Sequence, residues 1–304
     1  MIIAENLRIS KVISGTWLSL LVLIVVCTAT YITDIYFLKD FVEVPSLVPT
    51  ILGPALAFFI GFNNNQAYDR WWEARKIWGA LVNDSRSWAR QMMHYTSANN
   101  AEEINELRKL RRRTIYRHIA FLYALKENLR GSTENSYKKF LKPKEYEQVN
   151  LVSNIHNAIL NEQSNDLEFM SKRQWIDGFR FVEMNKTLTN FCDQMGMSER
   201  IKNTVFPSTY IFYTRVFIWF LIVSMTFVAT DLVDFWSIPI GVFVGYVFLV
   251  THKVGLTILN PFEPTPSGIS LDQITRTIEI NLLETLGEKE IPKPIQPVNK
   301  EYIM

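Results

Sequence analysis

The chain has 304 residues, enough for more than one domain core, and combines 48% hydrophobic residues with 32 Lys or Arg and 30 Asp or Glu. The formal net charge of +2 gives no sign of a nucleic-acid partner, and we expect none. Cys27 and Cys192 lie far apart, so neither a disulfide framework nor a zinc site is expected. The four histidines are also scattered without metal spacing, and we expect no bound metal or other cofactor.

Four segments of the sequence are long and apolar. The first two contain no Asp, Glu, Lys, Arg or His, the third contains only Arg215, and the fourth ends at His252 and Lys253. Crossing a hydrocarbon layer of about 30 Å takes about 20 residues of α-helix. We therefore predict an all-α integral membrane protein with four transmembrane helices per subunit, at 12–33, 44–68, 206–230 and 235–251.

The segments that connect these helices differ in charge. The loop between the first two is acidic, and so is the loop between the last two; together they contain Asp34, Asp40, Glu43, Asp231 and Asp234. In contrast, 23 of the 32 Lys and Arg residues fall within 70–202. Because basic residues near helix ends favour the cytoplasmic side, we predict a multi-pass protein of the inner (plasma) membrane with both termini in the cytoplasm.

The remaining sequence predicts a large cytoplasmic helical region. Helical periodicity runs through 69–93, and a second helix over 101–130 ends before Gly131, a residue that favours helix ends. The polar stretch 131–148 is expected to be a surface loop, and 271–288 a short amphipathic helix. The predicted organisation has an N-terminal pair of membrane helices, the cytoplasmic region, a second membrane pair and a cytoplasmic tail, at 1–69, 70–205, 206–259 and 260–304.

The second apolar segment has two helical stripes. Small residues recur every four positions at Gly53, Ala57 and Gly61, a pattern that lets helices pack closely in a membrane. Offset by one position, a second stripe is formed by Pro54, Phe58 and Phe62. This second stripe predicts either a packing or lipid-facing surface, or the wall of a narrow axial passage between several copies. A polar run, Asn63, Asn64 and Asn65, follows at the cytoplasmic end.

Other candidate residues have ordinary interpretations. Arg70, Trp71 and Trp72 at the end of a membrane helix are typical interface anchors. Arg215 lies about two turns after Pro207, so its side chain can reach the membrane surface, although a charge at membrane depth is a functional candidate by default. The sequence contains none of the common catalytic motifs at usable spacing, and we do not expect an enzyme.

The stretch GPALAFFIGFNNNQAYDRWWEARKIWGALVNDSR closely resembles the hallmark sequence of bacterial bestrophin-like proteins. The segments SERIKNTVFPSTY and NPFE followed by LDQITRTIEINLLETLG also resemble this family, in matching order along nearly the whole chain. The resemblance implies a homopentameric ion channel in the lipid bilayer, with a single pore on its five-fold axis.

The resemblance also implies roles for particular residues. The family's narrow neck would fall on Pro54, Phe58 and Phe62, with the asparagine run close to the pore. A second constriction at the cytosolic exit would fall on Phe179, and a shift of one turn would move it to Val182 or Trp175. The alternative for Phe179 is a core aromatic of the cytoplasmic region.

The sequence departs from the family pattern at two places. Family members usually have an aliphatic residue at the position of Pro54. The top of the neck is therefore expected to be kinked or to be positioned differently in this chain. Several carboxylates usually precede Asn260-Pro261-Phe262, but this chain has LTIL there, so the role of those acids has no counterpart. Animal members bind calcium through an acidic cluster, whereas the tail here has only Asp272 and Glu279 nearby, and we expect no calcium control.

The expected function is passive conduction of small inorganic ions. Chloride is the preferred ion on family grounds, although the predicted neck contains no formal charge and monovalent cations remain an alternative. Another alternative is a membrane scaffold or signalling protein that does not conduct. The sequence leaves open what opens the channel and which residues line its cytoplasmic vestibule.

Overall fold

A computed structural model describes residues 9–38, 44–204, 207–298 and 302. Arg8, Lys39, Asp40 and Glu43, which bear on the predicted orientation, lie outside these residues. The chain forms two compact units. One comprises 4–71 and 205–260 and is called the apolar unit here; the other comprises 1–3, 72–204 and 261–304 and is called the polar unit.

The described part of the chain is mostly helical. In the apolar unit, α1 spans Ile9–Thr33 and is extended by a short π-helix, Asp34–Leu38. Helix α2 spans Leu47–His94 and continues into the polar unit. The polar unit also contains α3 (Ala101–Arg130), a 3₁₀ turn (Ser136–Phe140), α4 (Pro143–Val149), α5 (Ile155–Lys172) and α6 (Gly178–Asn203). Helices α7 (Ser208–Val233) and α8 (Ser237–Ile258) return to the apolar unit, and α9 spans Leu271–Leu286.

Three helical stretches of the described chain are long and apolar enough to cross a membrane: Ser14–Leu38, Leu47–His94 and Ser208–Ile258. The third is a pair of helices, because α7 and α8 are joined by a 3₁₀ turn at Asp234–Trp236 and pack against each other. At about 1.5 Å per residue, α7 is about 39 Å long and α8 about 33 Å.

The core of the apolar unit is built from α1, α2 and α7. Leu23, Cys27, Leu56, Ile60 and Ile222 are among its buried members, each at most 2% exposed. Helix α8 approaches this core through Gly241 and Gly245: an added Cβ on Gly245 would lie 2.6 Å from Leu23 Cδ2 and 2.9 Å from Ile222 Cδ1. A glycine spacing of four on α8 is therefore what allows three helix backbones to pack closely inside one subunit.

Helix α2 has no interruption over its 48 residues. The predicted membrane segment at 44–68, from Leu47 on, and the helical periodicity at 69–93 therefore lie on one helix, and nothing after Pro54 interrupts its hydrogen-bond pattern. Pro54 itself lies inside the helix, where its missing N–H removes the donor to the carbonyl of Thr50. Farther along, Trp78, Leu81 and Trp88 are buried in the polar unit.

Helix α3 is the centre of the polar unit. Its start is capped by Asn100, whose side chain accepts from the N–H of Glu103, and its end by Gly131 at a φ of 65°, as predicted. The predicted loop at 131–148 is wrong in part, because it contains the 3₁₀ turn and most of α4. Pro143 begins α4, at the position where its fixed φ suits a helix start.

The predicted tail helix is confirmed as α9, which packs on α3. Asp272 of α9 accepts from Lys126 Nζ at 2.8 Å and also pairs with Arg130. The hydroxyl of Tyr123 donates to Glu279 at 2.5 Å, and Arg276 lies 3.3 Å from the same carboxylate. Asp272 and Glu279, the two acidic residues noted in the tail, are thus both engaged by groups of the protein itself.

Candidate functional site

The stripe of Pro54, Phe58 and Phe62 lies on a face of α2 that its own subunit leaves open. Phe58 is 73% exposed and Phe62 53% exposed, whereas Leu56 and Ile60 on the opposite side are buried in the core. Large apolar side chains at such exposure need a covering medium, either lipid, another copy of the chain or an apolar passage. The stripe is therefore a surface of the subunit and does not contribute to its core.

The small-residue stripe is also unused within the subunit. Among the described residues, nothing lies within 4 Å of a Cβ built on Gly61, and a Cβ on Gly53 meets only Leu221 Cδ1, at 4.0 Å. Within the subunit, close packing of helix backbones is found at Gly241 and Gly245 of α8. Sequence reasoning missed these two, although the spacing in GVFVG is the same small-xxx-small signal. Contact of the α2 stripe with another copy around an axis stays a prediction.

The three asparagines after the stripe point in different directions, because successive residues of a helix are about 100° apart. Asn63 is buried, and Asn64 donates from its amide to the carbonyl of Thr251 at 3.0 Å, beside Gly255. Only Asn65 is exposed and lies one turn beyond Phe62 on the same face. Asn64 therefore joins α2 to α8, and Asn65 is the one asparagine of the three on the exposed face of the stripe. A pore-proximal position of the asparagines stays a prediction.

A contact that the sequence did not reveal lies beside Phe58. Its neighbour Phe59 is 48% exposed, and the ring of Tyr210 on α7 meets it edge to face, with ring centroids 6.1 Å apart. The Tyr210 hydroxyl donates to the carbonyl of Phe59 at 3.1 Å. Phe59 lies between Phe58 and Phe62 in the sequence. The hydrogen bond to its carbonyl therefore holds α7 to α2 at the level of the stripe.

Phe179 lies in the first turn of α6, after Asp177, which caps the helix by accepting from the N–H of Arg180. It is 93% exposed, and Val182 is 67% exposed. Trp175 is only 2% exposed and packs edge to face on Phe169. Phe179 is therefore not a buried core aromatic of the polar unit. Of the three positions named for a constriction, Phe179 and Val182 are exposed, whereas Trp175 is buried in the core.

The predicted interface residues have mixed surroundings. Trp71 is half-buried and stacks on Tyr68, with ring centroids 6.2 Å apart. Trp72 is 46% exposed and Arg70 is half-buried.

Arg215 is exposed on α7 and lies close to His252 of α8, in the apolar unit.

Two histidines of the polar unit have pKa values below the ordinary range. Complete burial lowers the pKa of His118 to about 3, and its ring packs on Phe191 with centroids 4.3 Å apart. Burial also lowers the pKa of His156, despite the opposing effect of Glu199, 2.7 Å from its Nε2. In the described residues no group of three or more His, Cys, Asp or Glu is placed to hold a metal ion.

A family model described as bacterial/fungal bestrophin protein matches residues 5–284. The chain belongs to the bestrophin family. This bestrophin is 28% identical over 249 residues to a voltage-dependent anion channel-forming protein of Escherichia coli, covering 82% of this chain and 79% of the relative. It is 27% identical over 263 residues to a protein of the same description from Nostoc, covering 85% and 84%.

The fold agrees with solved structures of the family. A bacterial bestrophin homologue from Klebsiella pneumoniae superposes with a TM-score of 0.82 at 22% identity, covering 89% of this bestrophin and 98% of the homologue. The resemblance found in the sequence is thereby confirmed. This bestrophin is a membrane protein with apolar membrane-spanning helices, and its relatives are named as anion channel-forming proteins.

Proposed function

We propose that this bestrophin is a pentameric channel that conducts small inorganic anions passively, through a hydrophobic neck formed by Pro54, Phe58 and Phe62. The observation that carries the proposal is the exposure of the two phenylalanines on a face of α2 opposite to the buried Leu56 and Ile60. Five copies placed around an axis would cover this face and form a ring of five aromatic side chains at the level of Phe58 and another at the level of Phe62.

A neck of this composition acts as a barrier to ions. It offers no hydrogen-bond donor or acceptor to replace the hydration shell of an ion, and water is unstable in a narrow apolar passage. The passage would therefore tend to lose its water at rest and block ions without being closed sterically. Asn65, one turn beyond Phe62, would provide the first polar side chain on the same face.

The helices of the apolar unit would make four crossings of the membrane, by α1, the first half of α2, α7 and α8. The hydroxyl of Tyr31, near the end of α1, donates to Asp234, at the end of α7, over 2.9 Å. The acidic ends of these helices thus lie together, while Arg215 and Lys253 lie toward the other ends of α7 and α8. Basic residues favour the cytoplasmic side, so the polar unit and both termini would be cytoplasmic.

The second constriction would be formed by Phe179. Its exposure of 93% gives it no packing role within the subunit, and its position at the start of α6 fixes its backbone through the cap made by Asp177. A ring of five such side chains would restrict the size of a permeant ion at the cytosolic exit. Val182, one turn farther along α6, is the nearest alternative on the same face.

Selectivity for anions is supported by the names of the relatives. The neck itself has no formal charge, and aromatic rings present a weakly positive edge and a weakly negative face, so ring orientation decides which ion is favoured. The test is the reversal potential of purified protein in a planar bilayer with asymmetric potassium chloride. A potential near that of chloride is expected. A potential near that of potassium would make the protein a cation channel, and absence of current from intact pentamers would favour a scaffold.

A further inference from the structure

A cavity of about 550 Å³ lies in the apolar unit, at the end where α1 and α7 begin and α8 ends. Helix α1 contributes Leu18 and Val22 to its wall, and α7 contributes Arg215 and Trp219. The cavity is separate from the exposed stripe of α2, and none of the residues assigned to the neck lines it.

The polar residues of this cavity are mainly basic. Arg215, His252 and Lys253 line it, and none of the described lining residues is acidic. Arg215 forms no ion pair with a described residue, and its positive charge lies close enough to act on His252. The amine of Lys253 donates to the carbonyl of Gly15 at 2.6 Å, which leaves its charge uncompensated. The site therefore concentrates positive charge with no counter-charge from the part of the subunit that is described.

His252 gives the strongest indication of a missing partner. It is only 3% exposed, and neither of its ring nitrogens has a hydrogen-bond partner within the described chain. Buried polar groups are nearly always satisfied, because an unmade hydrogen bond in the interior costs free energy. A ligand with acceptor oxygens in the cavity would accept from the imidazole and from Arg215 together.

The other wall of the cavity is apolar and open. Leu18 is 60% exposed and Val22 37% exposed, on the outer face of a helix that crosses the membrane. A phospholipid has the matching arrangement, with acceptor oxygens at the membrane surface and acyl chains that extend along the hydrocarbon-facing side of a helix. A small inorganic anion would use only the basic end of the site.

We propose that this cavity binds the phosphate group of an anionic phospholipid, with its acyl chains along Leu18 and Val22. The planar guanidinium of Arg215 donates two parallel hydrogen bonds to phosphate oxygens, and Lys253 adds a point charge. His252 donates one N–H to the same group. A zwitterionic headgroup would place its own cation beside these three residues and would bind more weakly. The proposal does not depend on the conduction of ions.

The test is native mass spectrometry of the full-length, delipidated protein titrated with phosphatidylglycerol or phosphatidylcholine. The double variant Arg215→Gln/Lys253→Gln should bind phosphatidylglycerol at least about tenfold more weakly, with phosphatidylcholine unaffected. The matched control is Lys142→Gln/Lys144→Gln, which removes two charges from exposed positions of the polar unit and should bind like the wild type. Equal affinity of the site variant and the control for phosphatidylglycerol would overturn the proposal.

A measurement on the wild type keeps the test informative if the site variant fails to assemble. Reductive methylation of Lys253, followed by peptide mass spectrometry, should be slowed by phosphatidylglycerol at much lower concentrations than by inorganic phosphate. Equal protection by both would assign the cavity to a free anion. Protection by neither, or an unreactive Lys253 in the lipid-free protein, would show that no lipid binds and that another part of the protein covers the site.

Discussion

The hydroxyl of Tyr210 donates to the backbone carbonyl of Phe59 over 3.1 Å, and its ring meets the Phe59 ring edge to face. In an uninterrupted helix this carbonyl also accepts from the N–H four residues later, that of Asn63, so it is shared between two donors. The arrangement ties the start of α7 to the turn of α2 that presents Phe58 and Phe62. Any rotation of that turn must stretch or break the bond to Tyr210.

The first prediction concerns this bond. Tyr210→Phe keeps the ring and removes the donor, which should destabilise the closed arrangement by about 0.5–1.5 kcal/mol. If the bond holds the neck closed, single-channel recordings should show a higher open probability with unchanged conductance. Tyr213→Phe, on the same helix and 55% exposed, is the control and should behave like the wild type. Equal open probability in both variants would mean that the bond serves only to hold the subunit together.

The second prediction is that Phe58→Ala together with Phe62→Ala yields a channel that is open more often. Removal of five rings at each level widens and wets the neck, which lowers the barrier to ions. Assembly should persist, because both side chains lie outside the subunit core. Phe243→Ala, at a position 70% exposed on α8, provides a comparison for loss of an exposed aromatic elsewhere. Wild-type gating in intact double-variant pentamers would place the barrier elsewhere, and loss of pentamers would assign the face to packing.

The third prediction separates the cytosolic exit from its neighbours. Phe179→Ala should increase the permeability of large anions relative to chloride, measured from bi-ionic reversal potentials, with little change in thermal stability. Val182→Ala should have a smaller effect if Phe179 is the constriction, and a larger one if the exit lies one turn along α6. Trp175→Ala should instead cost about 3–5 kcal/mol of stability, because it empties a core position.

The fourth prediction compares two glycine stripes. Gly245→Ala places a Cβ 2.6 Å from Leu23 Cδ2, and such overpacking should cost about 1–3 kcal/mol and reduce the yield of folded subunit. The Cβ added by Gly61→Ala meets no atom within 4 Å in the described part of its own subunit, so this change should leave the fold intact. If the stripe of Gly61 packs against a second subunit, native mass spectrometry should nonetheless show fewer pentamers. Five copies are expected in the wild type, and only monomers or dimers in gentle detergent would contradict the assembly.

The fifth prediction is an acid sensitivity of the polar unit that arises from His118. Its pKa is about 3 when folded and about 6.5 when unfolded, so between these values only the unfolded state binds the proton. Stability is therefore lost as pH falls below about 6.5, by about 2 kcal/mol per subunit at pH 5. Thermal melting of His118→Phe should show a smaller decrease between pH 7 and pH 5 than the wild type. His94→Phe, at an exposed position, should keep the wild-type slope.

The sequence was sufficient for the features that depend on one helix at a time. The apolar segments, the stripe of α2 and the cap at Gly131 follow from periodicity and local conformation, and the family motif supplied the prediction that the stripe forms a neck. Which helices pack against each other could not be predicted from such single-helix patterns. Whether Gly61 or Gly245 carries the close contact, and which asparagine faces outward, depends on the neighbours that each helix meets, and single-helix patterns do not contain that information.

The bond between Tyr210 and Phe59 and the cavity around His252 were missed for a related reason. Each joins residues far apart in sequence, with ordinary residue types and no motif spacing. Arg215 was noted as a charge at membrane depth and His252 as the end of a helix, but only the packing of α1, α7 and α8 places them beside one cavity. The signal available in sequence was the presence of both near the same predicted membrane surface.

The uninterrupted course of α2 also imposes a constraint on its length. Phe58 and Phe62 share one helix with Trp78, Leu81 and Trp88, with no loop between them to absorb a change. Each residue inserted between them would rotate the two phenylalanines by about 100° relative to the three buried side chains. An insertion of seven residues, nearly two full turns, would almost restore their relative orientation. Between Phe62 and Trp78 this helix is therefore expected to tolerate many substitutions but few insertions or deletions.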